Sequence, residues 1–149
     1  MTNQTLHILN RVAYGPRPRD LEAFGIEEYI DQQLYPSEID DRSVEAATSS
    51  LDALNLSGVE LIQKYPNRRD QRVGLEQLTQ AKLRRALSSE RQLNEVMVDF
   101  WYNHFNVFAG KGVCRVLVPS YERDAIRPYV FGKFRELVSA TAKHPAMLF

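Results

Sequence analysis

Residues 89–108, SERQLNEVMVDFWYNHFNVF, constrain the fold more than any other stretch of this chain. With successive residues turned by about 100°, as 3.6 residues per helical turn require, Val96, Val107, Phe100, Leu93, His104, Met97, Phe108, Trp101, Phe105 and Val98 form one arc. Only Asn94 interrupts it. Glu95, Asp99, Asn103 and Asn106 share the narrow remaining strip, with Tyr102 at its edge. An apolar arc this wide needs several neighbours, so the spacing predicts a long helix at the centre of a bundle.

The rest of the chain supplies helices to surround it. Leu6, Leu9, Val12 and Ala13 recur at helical spacing until Gly15-Pro16 and Pro18 stop them. Asp20 stands as an N-cap before a two-piece helix that breaks near Gly25 and ends at Pro36. A weak helix covers residues 43–54. Ser57 and Glu60 form a capping box ahead of Leu61 and Ile62, and Tyr65-Pro66-Asn67 closes that element. Residues 67–89 begin polar, then set Val73, Leu75, Leu78, Ala81, Leu83, Ala86 and Leu87 in a helical pattern beside the central helix. After a glycine-punctuated loop at 109–112, Val113 to Val118 is the one run with strand character, too short to build a sheet. A helical turn through Arg127 and a last helix over 131–143 complete an all-α reading: an irregular multi-helix bundle around the helix near 90–108. There is no internal repeat and no low-complexity tract.

Composition narrows the function classes. A chain of 149 residues is one domain's worth, able to bury about 70% of the surface its unfolded form exposes. Lysine plus arginine equals aspartate plus glutamate at 19 each. No long-range field then draws the chain to nucleic acid or anionic membrane. The single cysteine, Cys114, forms no internal disulfide. No stretch approaches the roughly 18 apolar residues of a spanning helix, and the amino terminus lacks an export signal.

The candidate chemistry is sparse. His104 lies on the apolar arc, where an imidazole is costly to charge and needs a hydrogen-bond partner; it reads as a core histidine or, with partners, as a metal ligand or general base. No second histidine stands one turn away. Glu95, Asp99 and Asn103 repeat every four residues on one face. With His104, Glu95 and Asp99 are the candidate metal ligands; the alternative is a solvated strip, or one bridged by arginine. Arg123 and Arg127, four apart, are the natural partners for Asp99. The Gly-Lys at 110–111 lacks the remainder of a phosphate loop, and no nucleophile elbow occurs. The basic residues Arg68, Arg69, Arg72, Lys82, Arg84 and Arg85 read as a solvated helix face.

Three segments carry a resemblance: LHILNRVAYGPRPRDLE at 6–22, NEVMVDFWYNHFNVFAGKG at 94–112 and YERDAIRPYVFGKFRELVSATAKHPAMLF at 121–149. Together they resemble the opening third of the bacterial domain of unknown function 1800 family, whose mark here is the aromatic core at Phe100 to Phe105. The resemblance implies a helical protein longer than this chain, with 1–149 as its amino-terminal part. It also implies frequent export and a sulfatase-like exported partner. It assigns no reaction and no cofactor. His144 stands where the resemblance leads one to expect a small polar residue. Two functions follow: a helical scaffold or interaction module, or a metal-dependent or hydrolytic enzyme with His104, Asn103, Asp99, Arg123 and Arg127 around a cleft.

Overall fold

The computed structural model describes residues 3–17 and 25–149; the expected N-cap Asp20 lies outside them. Among the described residues the chain is all-α, with helices α1 (Asn3–Val12), α2 (Ile26–Leu34), α3 (Arg42–Ser49), α4 (Gly58–Lys64), α5 (Gln71–Ser88), α6 (Gln92–His104), α7 (Cys114–Tyr121), α8 (Phe134–Lys143) and α9 (Pro145–Leu148). Three 3-10 turns, Pro36–Glu38, Asp52–Leu54 and Arg127–Tyr129, and a π-helical turn, Glu122–Ile126, complete it. The Ser57 capping box forms as expected, with Glu60 N–H donating to the Ser57 hydroxyl and Ser57 N–H to the Glu60 carboxylate.

The expected strand is a helix. Val113 is the N-cap and Cys114 to Val118 the first residues of α7, where Cys114, Val116, Leu117, Val118, Pro119, Ser120 and Tyr121 are all buried. A lone strand would leave its backbone donors and acceptors unpaired in the core, whereas a helix satisfies them within itself. Because α4, α5, α9 and the Asp52–Leu54 turn pack around α7, only Arg115 of its residues stays partly exposed. The 3.6-residue period that would have announced a helix is thereby erased. Its closest neighbour is α5, where Gly74 meets the Pro119 ring: a Cβ on Gly74 would lie 3.4 Å from Pro119 Cγ. On the other side a Cβ on Gly58 would stand only 3.1 Å from Leu117 Cδ2.

The helix near 90–108 exists, but as α6 it ends at His104 and buries Gln92, Glu95 and Val98. Its inward line is therefore the polar one. Phe100 is 54% exposed, His104 is exposed, and Met97, Trp101, Tyr102 and Phe105 pack only partly against the core. The apolar arc expected to be buried is instead divided: Val98 faces inward beside Glu95 while Phe100 and His104 face outward, because cations on α5 and beyond α7 let carboxylates turn inward.

The junction between α5 and α6 is tied down by polar contacts from α2 and from the N-cap of α3. Asp41 accepts from the Ser89 hydroxyl at 2.8 Å and from Glu90 N–H at 2.9 Å. Gln33 of α2 donates to Glu90 O at 2.8 Å and accepts from Leu93 N–H at 3.0 Å. Gln33 Oε1 thereby takes up the Leu93 N–H, a donor that the first turn of α6 leaves without an intrahelical partner. At the far end His144 caps α9, its Nδ1 accepting from Ala146 N–H at 3.2 Å. Serine, threonine, asparagine and aspartate are the usual N-caps, and here an imidazole takes that place.

The placement of α7 at the centre is testable. Leu117→Ala, at 1% exposure, should cost about 2–5 kcal/mol, whereas Phe100→Ala on α6 should stay within about 1 kcal/mol. Urea midpoints of the two variants measure both; equal losses would contradict this arrangement.

Candidate functional site

Six charged side chains from α5, α6 and the turn after α7 gather at one place: Lys82, Arg85, Glu95, Asp99, Glu122 and Arg127. Glu122 is 1% exposed. Its Oε1 accepts from Arg127 Nε at 3.0 Å and lies 3.8 Å from an Arg85 nitrogen. Lys82 Nζ approaches Glu122 Oε2 at 3.3 Å and Asp99 Oδ1 at 2.8 Å, ion-pair distances without the direction of hydrogen bonds. It also stands 4.2 Å from the centre of the Tyr102 ring. Arg127 closes the set with a bidentate pair to Glu95, at 2.9 and 2.7 Å.

The π turn makes this geometry possible. In an α-helix, residues five apart are turned by about 140° and point away from each other. The backbone bond from Arg127 N–H to Glu122 O is an i to i+5 bond, and a turn built on such bonds carries an extra residue that brings the two side chains together. Pro119, lacking an N–H, sits just upstream inside α7, where it disturbs the regular ladder.

Burial alone would raise the Glu95 carboxyl, but the Arg127 hydrogen bonds and charge, with Arg85 behind them, hold it below the usual carboxylate range. For Arg127 the balance also favours charge: burial opposes it, while Glu95 and Glu122 push the guanidinium upward. Arg85 goes the other way, lowered by burial and then by the Arg127 charge. Tyr102 is pushed up to about 12 by burial and by Glu122 and Asp99. Tyr14 also rises to about 12, from burial and then Asp99, Glu95 and Glu122; its hydroxyl donates to Glu95 O at 3.3 Å. Negative charge raises the cost of ionising either phenol.

Two clefts flank the cluster. One of about 390 Å³ opens toward Tyr14, Leu83, Lys82, Asp99, Tyr102 and Asn103. The other, about 260 Å³, lies between α3, α5 and the π turn.

The residues singled out in the sequence separate. Arg123 donates to the carbonyls of Leu54 and Leu56 at 2.8 and 2.7 Å and to the Asp124 carboxylate. Neither Arg123 nor Arg127 bridges Asp99, because the π turn directs them to different elements. Asn103 donates to Asp99 O on its own helix at 2.8 Å. His104 is no core histidine: it stacks on Phe100 with centroids 6.0 Å apart and meets Trp101 and Phe105 edge-on. Among the described residues no three His, Cys, Asp or Glu side chains gather as a metal site needs.

Lys82, Arg85 and Glu122 were missed. Two had a readable signal: Lys82 and Arg85 fall on the same helical stripe as Leu78 and Ala81, which are buried, so their charges had to turn inward rather than join a solvated face. Glu122 gave none, since its position depends on the π turn.

A family model described as a protein of unknown function (DUF1800) matches residues 7–149. No curated protein and no solved structure matches the chain.

Removing Arg127 leaves Glu95 and Glu122 buried beside an apolar side chain, so Arg127→Met should cost about 3–5 kcal/mol at pH 7. In the parent, Glu95 has a depressed folded value, and its contribution is lost only as pH falls through it. In the variant burial governs and the Glu95 value rises, so the penalty should shrink as the solution is acidified. Denaturant unfolding at neutral and acidic pH checks this; a pH-independent penalty would contradict it.

Proposed function

The chain belongs to the DUF1800 family of proteins of unknown function, and we propose that it serves there as a helical scaffold and interaction module rather than as a metal-dependent or hydrolytic enzyme. The observation that carries this reading is the engagement of the charged groups that the sequence offered as candidates. Asp99 faces Lys82, Arg127 is held by Glu95 and Glu122, and Arg123 binds backbone carbonyls. A general base needs a proton to abstract within hydrogen-bond reach and an orienting partner. His104, the best candidate, has no hydrogen bond among the described residues and lines neither cleft.

The surface suited to contact is aromatic. Phe100 and Phe134 are 54% and 59% exposed, and with Trp101, His104 and Phe105 they form a continuous ring cluster: Trp101 lies 5.6 Å from Phe134 and stacks on Phe105 at 5.7 Å. Contiguous exposed apolar side chains of this kind mark interaction surfaces. The partner this reading calls for is polypeptide that offers apolar side chains to that band, including further residues of the same protein.

Metal analysis of the protein purified without chelator, beside His104→Ala and Asp99→Ala, separates the two readings. The scaffold reading expects no stoichiometric metal, and a His104→Ala variant that stays folded with stability changed by no more than about 0.5 kcal/mol. Stoichiometric metal in the parent, lost from both folded variants, would overturn it in favour of the enzyme.

A further inference from the structure

Among the described residues that line the smaller cleft, Arg85 is a cation whose guanidinium makes no hydrogen bond. Arg85 reaches it from α5 with its side chain 20% exposed. Its nearest carboxylate oxygen, Glu122 Oε1, stands at 3.8 Å and is already taken by Arg127 Nε at 3.0 Å. No acceptor among the described residues hydrogen-bonds the Arg85 guanidinium. The neighbouring arginines are committed: Arg127 to Glu95 and Glu122, Arg123 to Leu54 O, Leu56 O and Asp124, and Arg91 to Ile39 O and Glu45. Arg85 therefore presents a planar fork of N–H donors to a cavity of about 260 Å³.

We propose that this cleft binds a small carboxylate, seated bidentately on the Arg85 guanidinium. A carboxylate matches the fork with two parallel charge-assisted bonds. Charge balance favours a monoanion over a phosphate dianion: the charged side chains lining the cleft are Arg85, Arg123 and Arg127 against Glu45 and Glu122, which leaves one positive charge to be met. The burial that lowers Arg85 is relieved by an anion on its fork. The cleft, at about 260 Å³, lies just below the roughly 300–1,000 Å³ of drug-sized pockets, so it admits a small carboxylate with room to spare. The site is independent of the scaffold reading, since a scaffold or an enzyme could carry it.

The test is a titration with sodium acetate, and separately with inorganic phosphate, at ionic strength held constant with sodium chloride. The side-chain Nε–H resonance of Arg85, followed by 15N NMR, is the readout. The expected result is a saturable shift with acetate, a weaker one with phosphate, and loss of the acetate shift in Ser49→Phe. That variant fills the exposed rim on α3 and leaves Arg85 in place. Arg85→Gln, checked for folding by circular dichroism, should lose the thermal stabilisation by acetate seen in the parent. No saturable shift with acetate would overturn the proposal, as would an undiminished shift in folded Ser49→Phe; tighter binding of phosphate would overturn the carboxylate class.

Discussion

Glu122 is the point on which the rest of the structure depends. A carboxylate at 1% exposure is tolerable only if cations meet it, because an unpaired buried charge costs several kcal/mol. Lys82 and Arg85 come from α5, and Arg127 comes from its own segment after one π turn. Arg127 in turn grips Glu95 on α6. Three segments separate in the sequence thus meet at one set of charges. The cluster adds little net stability over an apolar core of equal volume, but wrong registers of α5 against α6 would strand charges.

The outward face of α6 follows from the same constraint. Once Glu95 and Gln92 point inward, its aromatic residues must turn toward the surface, and Phe100, Trp101, His104 and Phe105 form a band of rings against Phe134. Inside, the apolar filling passes to α7, and its Tyr121 hydroxyl donates to Phe105 O at 2.8 Å, satisfying a carbonyl where α6 has ended. The charge cluster and the exposed rings are thus two sides of one helix.

Much of the fold was legible in the residues. The all-α class, the Ser57 capping box, the stop at Tyr65-Pro66 and the long α5 each rest on local signals that survive packing. The strand expected at Val113 to Val118 failed because β-branched propensity is weak, and a helix buried on nearly every face shows no periodicity. The candidate site was legible only in part. Glu95, Asp99 and Arg127 were named, but a helical wheel assigns Arg123 and Arg127 to one face, and the π turn sends them to different neighbours. His104 misled for the converse reason: its place on an apolar arc implied burial, while its helix faces inward with carboxylates.

The most direct measurement is a double-mutant cycle between Glu95→Gln and Arg127→Met, read from denaturant unfolding at neutral pH. If the π turn seats Arg127 on Glu95 as a structural clamp, the two substitutions should couple by about 0.5–3 kcal/mol, the range for residues sharing one hydrogen-bond or ion-pair network. Additive losses would mean that the two side chains do not meet in the folded protein, and the organisation of α5, α6 and α7 around Glu122 would fall with that result.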